Sequence, residues 1–317
     1  LPTIWSENDA TTAAAGLSAI IEANPDLVAV YTSNGTTAQG AASAIAAAQL
    51  EDQVDVITWD LFPDFLADLQ SGILDGLVGQ QPYQMGYESV TTLVGIIRGE
   101  IDPADLEPAL AVESIWVDRD NIDDPEIVQQ FYVAECGDVG AAPAAPAAGE
   151  DIHLALIPGL TNDSFYGTFA CGAEAAAVHL GGVTTSNQAA DSWGLDVQQP
   201  ILDAVLLQDP DGIAYVPHDF SAANPWIEER IAEGIPVVTF DVIVEPPVAV
   251  QGRATDPFLG GALAAAKMAE RAAENGSLAI IGINAGHGNS QRINGFINGT
   301  FGSQGIAQLR PDLTILP

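Results

Sequence analysis

The stretch DIHLALIPGLTNDSFYGTFACGAEAAAVHLGGVTTSN, residues 151–187, decides how the rest of the chain is read. Its apolar run IHLALI (152–157) is short and nearly unbroken, as expected of a strand buried on both faces of a parallel sheet. The turn PGLTND follows. Beyond it, Phe169, Ala173, Ala176, Ala177 and Leu180 recur on one face at helical spacing. GGVTTSN then supplies a turn and a second strand. One strand, one helix and one strand in that order form a βαβ unit.

The unit repeats downstream. The spacing predicts a helix over about 197–208, a strand at DGIAYVP (211–217), a helix through Ile227 and Ile231, and a strand at GIPVVTFD (234–241). A helix over 257–274, the strand SLAIIGI (277–283) and a helix over 289–301 come next. Strands alternating with helices imply an α/β fold with parallel sheets. The N-terminal part has the same rhythm. Helices are expected over 10–23, 37–49, 61–71 and 83–98, with strands at 26–34, 54–60, 75–80 and 109–117, and a tail over 118–139. Between the two parts lies GAAPAAPAAGED (140–151), whose small residues and spaced prolines have no apolar face to bury and read as a solvated tether.

A tether in mid-chain is out of place, and the segments LPTIW (1–5) and LTILP (313–317) each look like part of a strand. Joined as LTILP–LPTIW they make one strand. The expected architecture is therefore a circularly permuted one, with the tether marking the original N-terminus. The rival is two independent α/β domains in native order, which would leave each half with an exposed sheet edge.

Composition excludes several functions. Forty-three acidic residues against eight basic ones give a net charge of −35. Such a surface repels phosphate backbones, so no nucleic-acid partner is expected. It suits high salt or an extracytoplasmic medium. No apolar run of membrane-spanning length is free of charges or turn signals. No basic-plus-apolar signal peptide precedes the first strand, so a secreted protein would be in its processed form. Cys136 and Cys171 form no metal motif; they pair in an oxidising compartment or stay as separate buried thiols. Four scattered histidines make no zinc motif, and neither metal nor cofactor is expected.

Ligands of open parallel sheets bind beyond the carboxyl ends of the strands. That rule selects Asn162, Asp163, Phe165 and Tyr166 after IHLALI, then His218 and Asp219 after DGIAYVP, and Asp241 after GIPVVTF. It also selects Asn34 after DLVAVYTS, Asp60 after VDVITW and Gln80 after DGLVG. Acids, amides and aromatics suit a neutral polyhydroxylated ligand. Carboxylates accept hydroxyl hydrogen bonds, and ring faces cover C–H surfaces. Each residue also has a structural role open to it. Phe165 and Trp5 are candidates for the core, Asp219 and Asp60 for capping the helices that follow them, and His218 reads as structural.

Taken in the order 151–317 and then 1–139, the chain resembles the periplasmic sugar-binding proteins of ABC importers, of the ribose- and galactose-binding type. The resemblance is carried jointly by LIPGLTNDSFYGTFACGAEAAA, DGIAYVPHD, GIPVVTFD, GRATDPFLGGALAA, QRINGFING, PDLVAVYTSNGTTAQGAASAI, VDVITWD and LVGQQPYQMGYE. It implies two Rossmann-like parallel-sheet domains joined by a three-strand hinge, the type I fold, closing on a ligand. One domain would hold 151–254 plus 81–108, the other 255–317 plus 1–80 and 109–139, with 140–150 as linker. It implies ligand contacts from Asp163, Phe165, Tyr166, Asp241, Arg292, Asn34, Asp60 and Gln80. Ribose binders often carry arginine after the Asp241 position, where this chain has Val242. Trp5 is the candidate for the second stacking aromatic, with Asn8 and Asp9 as polar replacements.

The expected function is a non-enzymatic, extracytoplasmic solute-binding protein. It would be a monomer that delivers a monosaccharide or polyol to a membrane permease, with a removed N-terminal region as the candidate membrane tether. The alternatives are a binder of a quorum signal or nucleoside on the same fold, and a glycosidase using Asp163 and Asp241 as paired carboxylates. A transcription regulator would need a helix-turn-helix and a basic surface, and neither is present.

Overall fold

In the computed structural model, residues 3–128, 130–136, 151–283, 287–300 and 302–317 are described, without the side chain of His287. The tether over 140–150 lies outside the described residues. The chain begins β1 (Ile4–Trp5), α1 (Ala10–Ala23), β2 (Leu27–Thr32), α2 (Gly35–Ala48), β3 (Asp55–Trp59), α3 (Phe65–Ser71) and β4 (Gly76–Gly79). It continues with α4 (Pro82–Ile97), β5 (Ala109–Val112), β6 (Ile115–Val117) and α5 (Pro125–Val128). Then come β7 (Ile152–Ile157), α6 (Ser164–Leu180), β8 (Val183–Asn187), α7 (Leu195–Leu206), β9 (Gly212–Tyr215), α8 (Asn224–Ala232), β10 (Val237–Phe240) and β11 (Gln251–Thr255). The last part holds α9 (Pro257–Arg271), β12 (Ser277–Gly282), α10 (His287–Asn298), the short pair β13 (Gly299–Thr300) and β14 (Ser303–Gln304), α11 (Ile306–Leu309) and β15 (Thr314–Ile315).

These elements form two compact units. Unit 1 takes 1–80, 113–131 and 256–317, and unit 2 takes 81–112 and 132–255. Unit 2 is built on a six-stranded, all-parallel sheet in the order β5-β11-β10-β9-β7-β8. Its core packs Ile157, Leu202, Val205, Tyr215, Ile227 and Val237. Unit 1 carries the order β1-β12-β2-β3-β4-β6, with β15 also paired to β12. Within that sheet all pairings are parallel except that of β6 with β4, and β13 and β14 form a separate antiparallel pair. Tyr31, Trp59, Val78, Met268, Ile280 and Phe296 pack in its core. Every residue of β4, β9, β10 and β12 is buried, as a parallel sheet covered on both faces requires.

Over their first five strands the two sheets share one topology, and the sixth differs, parallel as β5 in unit 2 and antiparallel as β6 in unit 1. Counted from β7, unit 2 reads second-first-third-fourth-fifth. Unit 1 reads the same way only when counted from β12, with its second place filled by β15 and β1 together. Thr314 and Ile315 pair with Ser277 and Leu278, and Ile4 and Trp5 pair with Ile281 and Gly282 farther along β12. Between the two fragments, the Thr3 hydroxyl donates to the Leu316 carbonyl at 3.1 Å and accepts from the Ile280 amide at 3.0 Å.

Local chemistry sets the helix starts. Asp9 caps α1 by accepting from the Thr12 amide, and Asp256 caps α9 ahead of Pro257. Close helix packing in unit 1 depends on glycine. A Cβ at Gly261 would lie 2.2 Å from the Arg292 carbonyl oxygen, and one at Gly295 would lie 2.2 Å from that of Phe258. α9 and α10 therefore touch backbone to backbone, which fixes the helix that carries Arg292.

Three expectations change. The apolar stretch 109–117 is two strands, not one. β5 pairs parallel with β11 in unit 2, and β6 pairs antiparallel with β4 in unit 1, because the chain changes sheets at Glu113–Ser114. The helix expected over 61–71 begins only at Phe65, after a turn through Pro63. The helix expected to reach 301 ends at Asn298, where Gly299 adopts a left-handed φ of 77°.

The two cysteines are paired. Cys136 and Cys171 form a disulfide across 35 residues of sequence, with Cα atoms 5.2 Å apart. It ties the segment after α5 to the middle of α6, both in unit 2. Closing a loop of this length stabilises by about 3–4 kcal/mol, mainly through the unfolded chain. Reduction, or the double substitution Cys136→Ala and Cys171→Ala, should lower the unit 2 melting temperature by roughly 6–12 °C. Calorimetry with and without reductant checks this, and an unchanged transition would show that the link contributes nothing.

Candidate functional site

In unit 1, the residues that follow β2, β3 and β4 are joined by hydrogen bonds. Asp60 comes directly after β3 in left-handed backbone, with φ at 76°. Its Oδ1 accepts from Gln80 Nε2 at 2.7 Å, and its Oδ2 accepts from the Gly35 amide at 2.9 Å. Asn34 caps α2. Its Oδ1 accepts from the Thr37 amide at 3.3 Å, and its Nδ2 donates to Asn8 Oδ1 at 2.8 Å. Asn34, Asp60, Gln80 and Asn8 are thus brought together beyond the carboxyl ends of their strands.

Arg292 on α10 completes the unit 1 group. Its guanidinium lies 4.1 Å from the centroid of the Trp59 ring, a cation–π contact on a fully buried indole. Its Nη1 donates to the Ser33 carbonyl at 3.1 Å. Trp59 Nε1 donates to the Tyr31 hydroxyl at 2.7 Å, and that hydroxyl donates to the Arg292 carbonyl at 3.3 Å. Burial raises the Tyr31 pKa, so the hydroxyl keeps its proton. Arg292 Nε is buried and has no hydrogen-bond partner among the described residues. A guanidinium has five donors, and one so held has capacity for an acceptor from outside the chain. Trp5, at the end of β1, is 39% exposed, which places its ring at the surface rather than in the core.

In unit 2, the same rule brings together Phe165, Tyr166 and Asp241. Asp163 caps α6 through an Oδ1 contact of 2.8 Å from the Phe165 amide. Phe165 is buried, edge-on to Tyr132 at 5.6 Å and to Tyr166 at 5.2 Å. The Tyr166 hydroxyl donates to Asp241 Oδ2 at 2.8 Å. Asp241 follows β10 directly, again in left-handed backbone with φ at 62°. Asp219 is used locally: its Oδ1 accepts from the amides of Ser221 and Ala222 at 2.9 and 2.8 Å. Those two bonds hold its pKa below the usual carboxylate range. His218 is tied to backbone on both sides, with Nε2 2.7 Å from the Gly159 oxygen and Nδ1 3.0 Å from the Gly194 amide.

The two units match in detail. Ile57-Thr58-Trp59-Asp60 in unit 1 and Val238-Thr239-Phe240-Asp241 in unit 2 are strand ends that share threonine, aromatic and aspartate. Both aspartates sit in a conformation that strains most side chains by about 1 kcal/mol or more. Among the described residues, no group of three His, Cys, Asp or Glu side chains is placed to hold a metal ion. No described helix is long and apolar enough to cross a membrane.

The profile of the family described as periplasmic binding protein domain matches residues 2–101 and 154–317. The chain belongs to this family. A curated relative, the D-allose-binding periplasmic protein of Escherichia coli (strain K12), is 30% identical over 100 residues, or 31% of this chain and 32% of that protein. The chain thus spans about a third of the curated relative it matches. Among solved structures, an arabinose binding protein from Geobacillus stearothermophilus is 25% identical with a TM-score of 0.47, over 52% of this chain and 55% of that one. A carbohydrate transporter solute binding protein from Agrobacterium radiobacter, in complex with D-arabinose, is 36% identical with a TM-score of 0.35, over 39% of this chain and 40% of that one.

Within this periplasmic binding protein, several supporting residues were not among those selected from the sequence. Trp59 and Tyr31 hold Arg292 from below, and both read from sequence as ordinary core positions. Trp193 lies in the loop after β8 and stacks on His218 with ring centroids 4.1 Å apart. Trp193 stands six residues beyond the strand GGVTTSN, outside the positions directly after a strand. Its rarity, as one of five tryptophans in the chain, is the one signal that the sequence offers for it.

Proposed function

We propose that this protein captures a monosaccharide or related polyol outside the cytoplasm and delivers it to the membrane permease of an ABC importer, without transforming it. The observation that carries the reading is the matched pair of strand-end carboxylates, Asp60 and Asp241. Each is held in left-handed backbone, oriented by a neighbouring side chain, and preceded by a buried aromatic. Such carboxylates accept hydroxyl hydrogen bonds, which suits a neutral polyhydroxylated ligand. Arg292 adds donors for ring or hydroxyl oxygens. The candidate ligand contacts are Asp163, Phe165, Tyr166, Asp219 and Asp241 within unit 2, and Asn34, Asp60, Gln80, Arg292 and Trp5 within unit 1. The D-allose-binding relative supports a sugar over the nucleoside and quorum-signal alternatives. The disulfide fits an oxidising, extracytoplasmic compartment. The Ala/Pro segment suits a tether to the membrane, and the protein acts as a monomer.

Calorimetric titration with pentoses, hexoses, polyols and nucleosides tests the reading. One sugar or polyol should bind with a Kd in the micromolar range or below, and should raise the melting temperature by mass action. Binding of a nucleoside alone would replace the ligand class. Turnover of a glycoside would replace the function.

The proposal includes a circularly permuted order. Its support is the shared sheet topology, in which unit 1 matches unit 2 only when read from β12. Peptide mapping should recover an intact fragment across 139–152. A chain re-ordered as 151–317 followed by 1–136 should fold and bind the same sugar. A break at that junction, or a re-ordered chain that does not fold, would overturn the permutation.

A further inference from the structure

Trp193 is half exposed although it is one of the largest apolar side chains in unit 2. Its loop is nonetheless fixed. The Gln188 amide donates to the Leu156 carbonyl at 3.0 Å, and the Thr161 amide donates to the Ala190 carbonyl at 2.9 Å. The Thr161 hydroxyl donates to Asp191 Oδ1 at 2.8 Å. The loop after β8 is therefore tied to the loop after β7, which ends at Asp163 and leads into Phe165 and Tyr166 in the first turn of α6.

The ring itself is held in one orientation. It stacks on His218 at 4.1 Å with planes 20° apart, and its Nε1 donates to the His218 carbonyl at 3.2 Å. His218 is buried and cannot swing away, because Gly159 and Gly194 hold its two ring nitrogens. The side chain is thus a rigid plate with half of its surface open. Gly159 shows how near the plate comes to the candidate ligand contacts. A Cβ added there would lie 2.7 Å from Trp193 Cζ3 and 2.5 Å from the Tyr166 hydroxyl. That hydroxyl is the one bonded to Asp241. The absence of a side chain at Gly159 lets the tryptophan and the tyrosine pack close over its backbone, which sets the indole beside the tyrosine–aspartate pair.

We propose that Trp193 is a ligand-contacting, specificity-determining wall, against which a sugar ring held by Asp241 lays its apolar C–H surface or exocyclic CH₂ group. This rests on the functional reading given above. Aspartate and tyrosine supply the polar grip, and the indole supplies the apolar surface that a polar grip alone lacks. A hexose, with its extra carbon, gains more from such a wall than a pentose does.

The test uses the full chain and D-allose, D-galactose, D-ribose and D-arabinose as probes. Trp193→Ala should weaken the tightest-bound probe roughly tenfold or more, and hexoses more than pentoses. Trp193→Phe should restore affinity to within about threefold, because a ring face remains. The share of the sugar-induced change in tryptophan fluorescence that comes from Trp193 should be lost in both variants, leaving a smaller response from the other four tryptophans. A folded Trp193→Ala protein with wild-type affinities and an unchanged fluorescence response would overturn the wall. If Asp241→Asn still abolished binding in that case, the functional reading would stand and only this inference would fall. If no probe bound the unsubstituted protein, both would fall.

Discussion

Asp241→Ala should reduce sugar affinity by a factor of roughly 10² to 10³, as charge-assisted hydrogen bonds worth about 1.5–3 kcal/mol each are lost. The expected loss is large because the carboxylate is pre-oriented. Tyr166 holds Oδ2 at 2.8 Å, and the left-handed backbone, with φ at 62°, points the group away from the strand. Neither feature helps β10, which is complete at Phe240. Alanine is itself disfavoured at positive φ, so Asp241→Asn is the cleaner variant: asparagine tolerates this conformation and retains the shape. It exchanges one acceptor oxygen for a donor and should cost nearly as much affinity, with a melting temperature close to that of the parent. Tyr166→Phe removes the orienting bond but not the carboxylate, and should cost about tenfold. Arg292→Ala should match Asp241→Ala in affinity but also destabilise unit 1, since it uncovers the buried Trp59 ring. Calorimetric titration beside thermal melts separates these effects. An Asp241→Asn protein with unchanged affinity would remove Asp241 from the site.

Which parts of this were legible in the sequence follows from the range of the forces involved. Strands such as IHLALI and SLAIIG are short apolar runs bounded by turn residues, and burial on both faces leaves that mark locally. The break at Glu113–Ser114 leaves none. Both halves of 109–117 are apolar enough for a strand, and only the identity of the neighbouring strand tells them apart. The rule that places ligands at strand ends selects Asp60, Gln80, Tyr166 and Asp241, and the structure joins Gln80 to Asp60 in unit 1 and Tyr166 to Asp241 in unit 2 by hydrogen bonds. The same rule selects Asp219, whose carboxylate also accepts the next turn's amides, as an aspartate after a strand readily does. Asn34 and Asp163 likewise carry helix caps alongside any contact with a ligand. Trp193 was illegible for a different reason. Its significance depends on what Gly159 lacks, and that is a fact about two loops meeting in space.

The melting temperature should rise by roughly 10 °C or more between 10 mM and 1 M sodium chloride, because the chain's own charge opposes its compact state. Forty-three acidic residues face eight basic ones. The basic residues are already engaged. Arg119, Arg230, Arg253, Lys267, Arg271 and Arg310 are in ion pairs, Arg98 donates to the Leu180 and Gly181 carbonyls, and Arg292 lies on Trp59. Most carboxylates therefore see other carboxylates as their nearest charges. At 10 mM salt the screening length is about 30 Å and repulsion acts across a whole unit; at 1 M it is about 3 Å and only contacts survive. Salt also weakens the ion pairs, but exposed pairs contribute only about 0–1 kcal/mol each, too little to reverse the sign. Potassium chloride and sodium chloride should act alike up to about 0.5 M, the range in which screening dominates. Sulfate should add a further rise at higher concentration, through exclusion from the surface. Charge-reducing substitutions such as Glu22→Gln with Glu51→Gln and Asp52→Asn should raise the low-salt melting temperature and flatten the salt curve. A melting temperature that fell with salt, or did not move, would show that the acidic surface is neutral to stability and that the few cationic contacts govern it instead.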